Sequence, residues 1–144
     1  MADFTRNDLI KKAEELFTQS KVCTVASVSE KGYPRICVLM PLLSDGLKEF
    51  WFSTGAHGTK VRHFKSNPKA GVTFFHGGDS VTLTGDMEIV TDKLVKYALF
   101  EKWSDFLERH FPNGGKDDPD YCVLHFTANE ATIYIDGAFE TVEI

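Results

Sequence analysis

The sequence predicts a mainly β fold, a six-stranded antiparallel barrel with helical decoration, and three observations predict it. Runs of alternating, β-branched or aromatic residues recur six times or so along 144 residues. Most of these runs are joined by short turns rich in Gly, Pro, Asp and Ser, which suits neighbouring antiparallel strands. Helical spacing of apolar residues is confined to three segments, so helices decorate the sheet and do not alternate with its strands.

The elements follow in order. Thr5 followed by Asp8 reads as a helix N-cap with an acid in the first turn. Leu9, Ile10, Ala13, Leu16 and Phe17 then recur at helical spacing, so the first helix spans about 5–20. "VCTVASVS" is the first strand and "EKGYP" a turn. "RICVLMPLL" is the second strand, in which Pro41 marks a sheet edge or a bulge. "SDGLK" turns into a third strand, "EFWFST". A short helix over about 59–66 starts after Gly58 and stops before Asn67-Pro68, because the residue preceding proline is pushed out of helical conformation. "KAGVTFFH" is the fourth strand and "GGD" a tight turn. "SVTLTGDMEIVT" is a long fifth strand with Val81, Leu83, Gly85, Met87 and Ile89 on one face. Asp92 caps a helical region over about 92–111, with Val95, Leu99, Trp103 and Leu107 on one stripe. "FPNGGKDDPD" is a loop, and "YCVLHFTANEATIYID" supplies one long strand or two short ones.

Bulk numbers narrow the function classes. At this length one domain over 1–144 is expected, with the barrel over about 22–135. A net charge of −5 and a pI near 5.5 argue against a nucleic-acid binder, which would show a broad basic face. No apolar run approaches the ~18 residues of a membrane span. The mixed-charge N-terminus lacks a signal peptide's pattern, so the expected compartment is the cytoplasm. Cys23, Cys37 and Cys122 form no C-x-x-C, which fits a reducing compartment without disulfides. The histidines show no paired ligand spacing, so no metal site is expected.

One stretch departs from the acidic background. Between two aromatic runs, "FWFSTGAHGTKVRHFKSNPKAGVTFF" carries four Lys or Arg and no acid from Thr59 to Lys69. Thr59 and Lys60 open a predicted helix, whose unpaired N–H groups and partial positive charge suit a phosphate. Ser53 and Thr54 add hydroxyls, and Arg35 on the neighbouring strand offers a bidentate guanidinium. On residue chemistry alone, a solvated basic face with Thr59 capping a helix accounts for the stretch equally well. A nucleotide P-loop does not fit, since the spacing from Gly55 to Lys60 is wrong.

"VASVSEKGYPRICVL", "FWFST", "TKVRHFKSNPKAGVTF", "VTLTGDMEIVTD" and "DPDYCVLHFTANEATIY", in that order, resemble the FMN-binding split β-barrel of the pyridoxamine 5′-phosphate oxidase-like superfamily, in its general stress protein branch. The resemblance runs from Val22 to Tyr134. It implies a homodimer with FMN at the interface. It implies a phosphate held by Arg35 and Thr59-Lys60, with Ser53 and Thr54 beside them, and a ring resting on the strand backbone of Cys37, Val38, Leu39 and Met40. Ile36 and Phe52 belong to the same cofactor-binding set, and Phe74 and Phe75 of the second subunit wall the ring or fill the barrel core. Oxidases of this family carry further C-terminal sequence with an Arg and His pair for substrate, whereas this chain ends at "GAFETVEI"; Met40 stands where the family often has lysine. The resemblance therefore implies chemistry at the level of the cofactor: a flavoprotein passing electrons to or from a small molecule, with no catalytic residue assigned.

Two alternatives stay open at this point. One is a non-catalytic flavin-binding or stress-response protein. The other is a split barrel using the deazaflavin F420 or haem, with His57, His63 or His76 as candidate axial ligands. His57 and His63 otherwise read as surface histidines or weak anion contacts, and His125 as structural. Trp103 and the aromatic residues from Phe106 to Phe111 read as core or dimer contact, and Asp117-Asp118-Pro119-Asp120 as a solvated acidic turn.

Overall fold

The structure, a computed structural model, describes residues 5–144. The strands are β1 (Cys23–Val28), β2 (Pro34–Leu39), β3 (Pro41–Asp45), β4 (Glu49–Gly55), β5 (Lys69–His76), β6 (Asp79–Ile89), β7 (Tyr121–Ile135) and β8 (Ala138–Glu143). The helices are α1 (Arg6–Ser20), α2 (Thr59–Ser66), α3 (Lys93–Lys102) and α4 (Ser104–His110), with a 3-10 turn at Gly115–Asp117. The fold class stands as expected, but the sheet has eight strands where the sequence pattern suggests six. Two causes account for the difference. The run read as one second strand breaks at Met40 into β2 and β3, and "GAFETVEI", read only as the chain's end, forms β8. Proline at the first residue of β3 cannot donate to a ladder, and the β3–β4 register shifts between Pro41 and Leu43, so the edge or bulge that Pro41 signals is there.

All pairings are antiparallel, in the order β2-β1-β5-β6-β7-β4-β3. β7 is long enough to pair β6 along one edge and, along the other, β4 first and then β8. β2 and β3 are the two ends of the sheet and are joined through Met40 alone. The sheet therefore curls until its ends lie one residue apart without pairing, which leaves the barrel split and one edge of β2 unpaired.

The turns behave as their residues dictate. Gly77 and Gly78 both have positive φ, 58° and 92°, the conformation of a two-residue hairpin turn that L-residues resist. At the start of α1, Thr5 and Asp8 form a reciprocal capping box.

Two apolar cores result. Inside the barrel, Phe50, Phe52, Phe74 and Phe126 join Val25, Leu83, Met87 and Ile133. α1 closes this interior: Leu9, Ala13 and Leu16 are buried, and the Phe17 ring sits edge-on to Phe50 and Phe74, each at 5.2 Å. The predicted face of β6 is the buried one, with Val81, Leu83, Gly85 and Met87 inside. A second core lies outside the sheet, where Leu99, Phe100, Leu107 and Phe111 cover Val123, Tyr121 and Leu42. The helical region expected over 92–111 is two helices, broken at Trp103, whose indole N–H donates to the Leu42 carbonyl at 2.7 Å. That bond ties the break to β3.

Candidate functional site

α2 begins where expected and positions the basic patch. Its N-cap is Gly58, which supplies no side-chain cap, so the first N–H groups of the helix keep no side-chain partner. Thr59 therefore does not act as the cap. The Lys60 ammonium donates to Thr54 Oγ1 at 3.1 Å, joining the helix start to the end of β4. Val61 and Phe64 bury the opposite face of α2 in the barrel. Arg35 lies on β2 opposite Ser27 of β1, so both side chains leave the same face of the sheet. Ser27 on that face hydrogen-bonds His63 of α2 at 2.9 Å. The register thus directs Arg35 toward the side of the sheet that α2 covers, and Arg35 makes no hydrogen bond or ion pair among the described residues.

Strand alternation divides the predicted hydroxyl pair. Thr54 pairs Cys122 on the interior face, whereas Ser53 pairs Val123 on the face covered by α4. Val38, Leu39, Met40, Ser53 and Thr54 nonetheless line one cleft of about 390 Å³, with Phe106 and His110 of α4 and Asp120 across from them. A cleft of this size falls in the usual range of small-molecule sites, about 300–1,000 Å³. The structure thus brings together five of the predicted residues in the cleft and ties Lys60 to one of them.

The remaining predicted residues separate. Phe52 and Phe74 are fully buried in the barrel core, so their rings are not available to a ligand. Phe75 is the exposed neighbour, at 69%. Cys37 faces inward, its thiol 3.7 Å from the Val25 carbonyl, while Ile36 faces outward, 67% exposed, on the same side as the cleft residue Val38.

Two readings change. His63 is buried, held between the Ser27 hydroxyl and, at 4.0 Å, the Glu30 carboxylate, so it is not a surface histidine. Glu30 is itself held below the usual carboxylate range, first by a hydrogen bond from its own backbone and then by Arg62. The acidic turn is not wholly solvated: Asp118 is buried and accepts from the Asn113 and Asp120 N–H groups, which pins the loop below the cleft. Asp120 meets His57 at 3.3 Å, and its carboxylate lies 3.1 Å from where a Cβ on Gly55 would be. Phe106, His110 and Asp120 were not legible as cleft residues, since nothing local in the sequence ties α4 to β2. Among the described residues no group of His, Cys, Asp or Glu is placed to hold a metal ion.

Burial also sorts the thiols. It pushes Cys23 up to about 12 and raises Cys122 as well. Thiolate is the reactive form, so burial leaves Cys23 little reactive near neutral pH. Iodoacetamide on the native protein is expected to spare Cys23 and Cys122 and to reach all three cysteines in denaturant. Peptide mass mapping reads this out, and rapid native modification of Cys23 would contradict the burial.

A family model described as pyridoxamine 5′-phosphate oxidase matches residues 9–134. The chain belongs to this family. Within it, a solved structure from Clostridium acetobutylicum, a protein related to general stress protein 26 of B. subtilis, is 35% identical, covers 97% of each chain and superposes with a TM-score of 0.84. A curated pyridoxine/pyridoxamine 5′-phosphate oxidase from Pseudomonas entomophila is 34% identical over 84 residues, 57% of this chain. That match spans only 39% of the Pseudomonas protein. The fold extends further than the family's named activity: a haem-binding protein from Mycobacterium smegmatis, 14% identical, covers 97% of this chain and 60% of its own with a TM-score of 0.76. For this last protein the likeness is one of fold alone. No helix among the described residues is long and apolar enough to cross a membrane.

Proposed function

We propose that this protein is a homodimeric, FMN-binding flavoprotein that passes electrons to or from a small molecule. The observation that carries the reading is the donor set around α2. Lys60 is held at Thr54, the α2 N-terminus has no side-chain cap, and Arg35 is unpaired on the neighbouring edge strand. Two cations and a cluster of N–H groups suit a phosphate of roughly −1.5 to −2 charges. The unpaired edge of β2 offers backbone donors and acceptors along the cleft, which suits the polar rim of a flavin ring. A flavin, when bound, supplies the hydride chemistry; the chain's part is to grip the phosphate, present the β2 backbone and shield the ring.

Dimerisation is supported by the outer face of β2. Ile36 and Val38 on this face stand 67% and 66% exposed in one chain, and Tyr33 just before the strand stands 71% exposed, side chains of a type that seldom stays wet in a group. A second subunit over this face would cover them and close the cleft from outside.

The test is a titration of apo-protein with FMN against riboflavin, followed by flavin fluorescence. The expected result is tight FMN binding and at least roughly tenfold weaker riboflavin binding, since riboflavin lacks the charged hydrogen bonds. Equal affinity for both would remove the phosphate grip. The fold shared with a haem-binding protein favours a second reading, a haem site served by the exposed His57 or His76. A Soret band on reconstitution, without flavin binding, would establish that reading in its place.

A further inference from the structure

A larger cleft shares no lining residue with the one assigned to the flavin. It has a volume of about 560 Å³ and lies where the end of β6 meets α3 and the outer face of β4 and β7. We propose that it is a second binding site, for a small hydrophobic cation such as an arylalkyl ammonium.

Its walls are apolar. Leu43, Val90, Val95 and Leu99 line it, and Trp51 forms a flat side by stacking on His125 with ring centres 4.5 Å apart and planes 6° from parallel. Trp51, Val90 and Val95 are only partly buried, so apolar surface here is left for a ligand to cover. This is a hydrophobic pocket with few polar groups, the usual form of a small-molecule site.

The polar groups give the ligand its charge. Glu88 and Asp92 line the cleft, and no Lys or Arg does. His125 sits between two carboxylates, with Nε2 3.0 Å from Glu49 and Nδ1 3.4 Å from Glu88. If the imidazole is neutral, these four groups sum to −3; if it is protonated, to −2. The cleft is anionic in either state. Asp92 is already engaged with the Leu94 N–H as the cap of α3, which leaves Glu88, paired only at 3.4 Å with His125, as the more available carboxylate at the mouth. An aromatic body on the Trp51 side and an ammonium at Glu88 match this arrangement; an aromatic anion would gain the same apolar contacts but be disfavoured by the carboxylates. Glu88 is 72% exposed, so solvent screens it and the charge preference is moderate.

The test uses ¹⁵N-labelled full-length protein, with and without FMN, at low salt. Trp51 and Trp103 each give an indole N–H signal, and Trp103 is the internal control because its N–H is bonded to Leu42 outside the cleft lining. The probes are 1-naphthylmethylammonium, the neutral 1-naphthalenemethanol and the anionic 1-naphthoate. The expected result is a saturable shift of Trp51 with the ammonium, binding about fivefold tighter than the alcohol, a difference that salt reduces. Naphthoate is expected to bind more weakly than the alcohol, by a margin that salt also reduces. Glu88→Gln, an exposed change that spares the fold, should narrow the gap between ammonium and alcohol, since Asp92 and Glu49 remain; Val95→Phe should weaken both. Equal binding of all three probes, no Trp51 shift, or an ammonium preference that Glu88→Gln leaves unchanged would overturn the assignment. None of these outcomes depends on whether FMN binds.

Discussion

Gly85→Ala is expected to destabilise the protein by about 3–5 kcal/mol and to lower Tm by roughly 10–15 °C. The cause is space, not backbone conformation. A Cβ at Gly85 would lie 2.1 Å from the Thr127 carbonyl oxygen and 2.8 Å from the Ala128 Cα, both backbone atoms. The register between β6 and β7 shifts at this point, so that Thr84 faces Glu130 and Gly85 faces Ala128, with Asn129 left over. The bulge pushes β7 toward β6 and only a bare Cα fits beneath it. β7 cannot yield, because its other edge is laddered to β4 and the Ala128 N–H donates to Lys48 at 2.8 Å. Gly71→Ala is the matched control. Its new Cβ would meet Ala26 Cβ at 3.7 Å and Leu83 O at 3.8 Å, ordinary contacts, so its effect should stay within about 1 kcal/mol. Urea or thermal unfolding of the two variants measures the contrast, and similar losses at both positions would contradict the bulge argument.

Gly85 also shows what a sequence can and cannot reveal. Its place on the inward face of a strand follows from alternation with Val81, Leu83 and Met87. The reason it must be glycine lies 42 residues away, at Thr127, and no local pattern carries that. The same division runs through the rest of the chain. α1, α2 and the start of α3 were legible because capping and proline are local effects: Thr5 with Asp8, Gly58 with Asn67-Pro68, and Asp92. β8 was not, because an edge strand that pairs only β7 leaves most of its side chains exposed and so carries no burial pattern. The break at Trp103 was hidden because the stripe from Val95 to Leu107 keeps helical spacing across it; the bond to Leu42 that accompanies the break comes from β3. At the site, the pairing of Lys60 with Thr54 was within reach of a residue-type argument. The burial of His63 was not, since its partner Ser27 is 36 residues away on another strand. Phe52 and Phe74 belong to the candidate set by sequence position, yet alternation turns their rings into the core and leaves Phe75 outside.

The phosphate grip predicts a second large effect. Lys60→Ala and Arg35→Ala are each expected to weaken FMN binding by about 1.5–3 kcal/mol, roughly 10- to 150-fold, and to leave riboflavin binding unchanged. The two losses should not be equal in character. Lys60 is positioned by Thr54, so Thr54→Val frees its ammonium and should reproduce part of the Lys60→Ala loss. Arg35 has no such support, and its contribution should fall more steeply as salt rises. The ligand's own titration supplies an independent check. A phosphate monoester gains its second charge near pH 6. If the dianion is what Lys60, Arg35 and the α2 N-terminus hold, FMN affinity should fall as pH drops through about 6 and riboflavin affinity should not. In the Lys60→Ala, Arg35→Ala double variant that pH dependence should flatten, because what remains of the grip is the helix N-terminus, whose partial charge distinguishes one anionic charge from two only weakly. An unchanged pH profile in the double variant would place the phosphate elsewhere on the chain, whatever the loss of affinity.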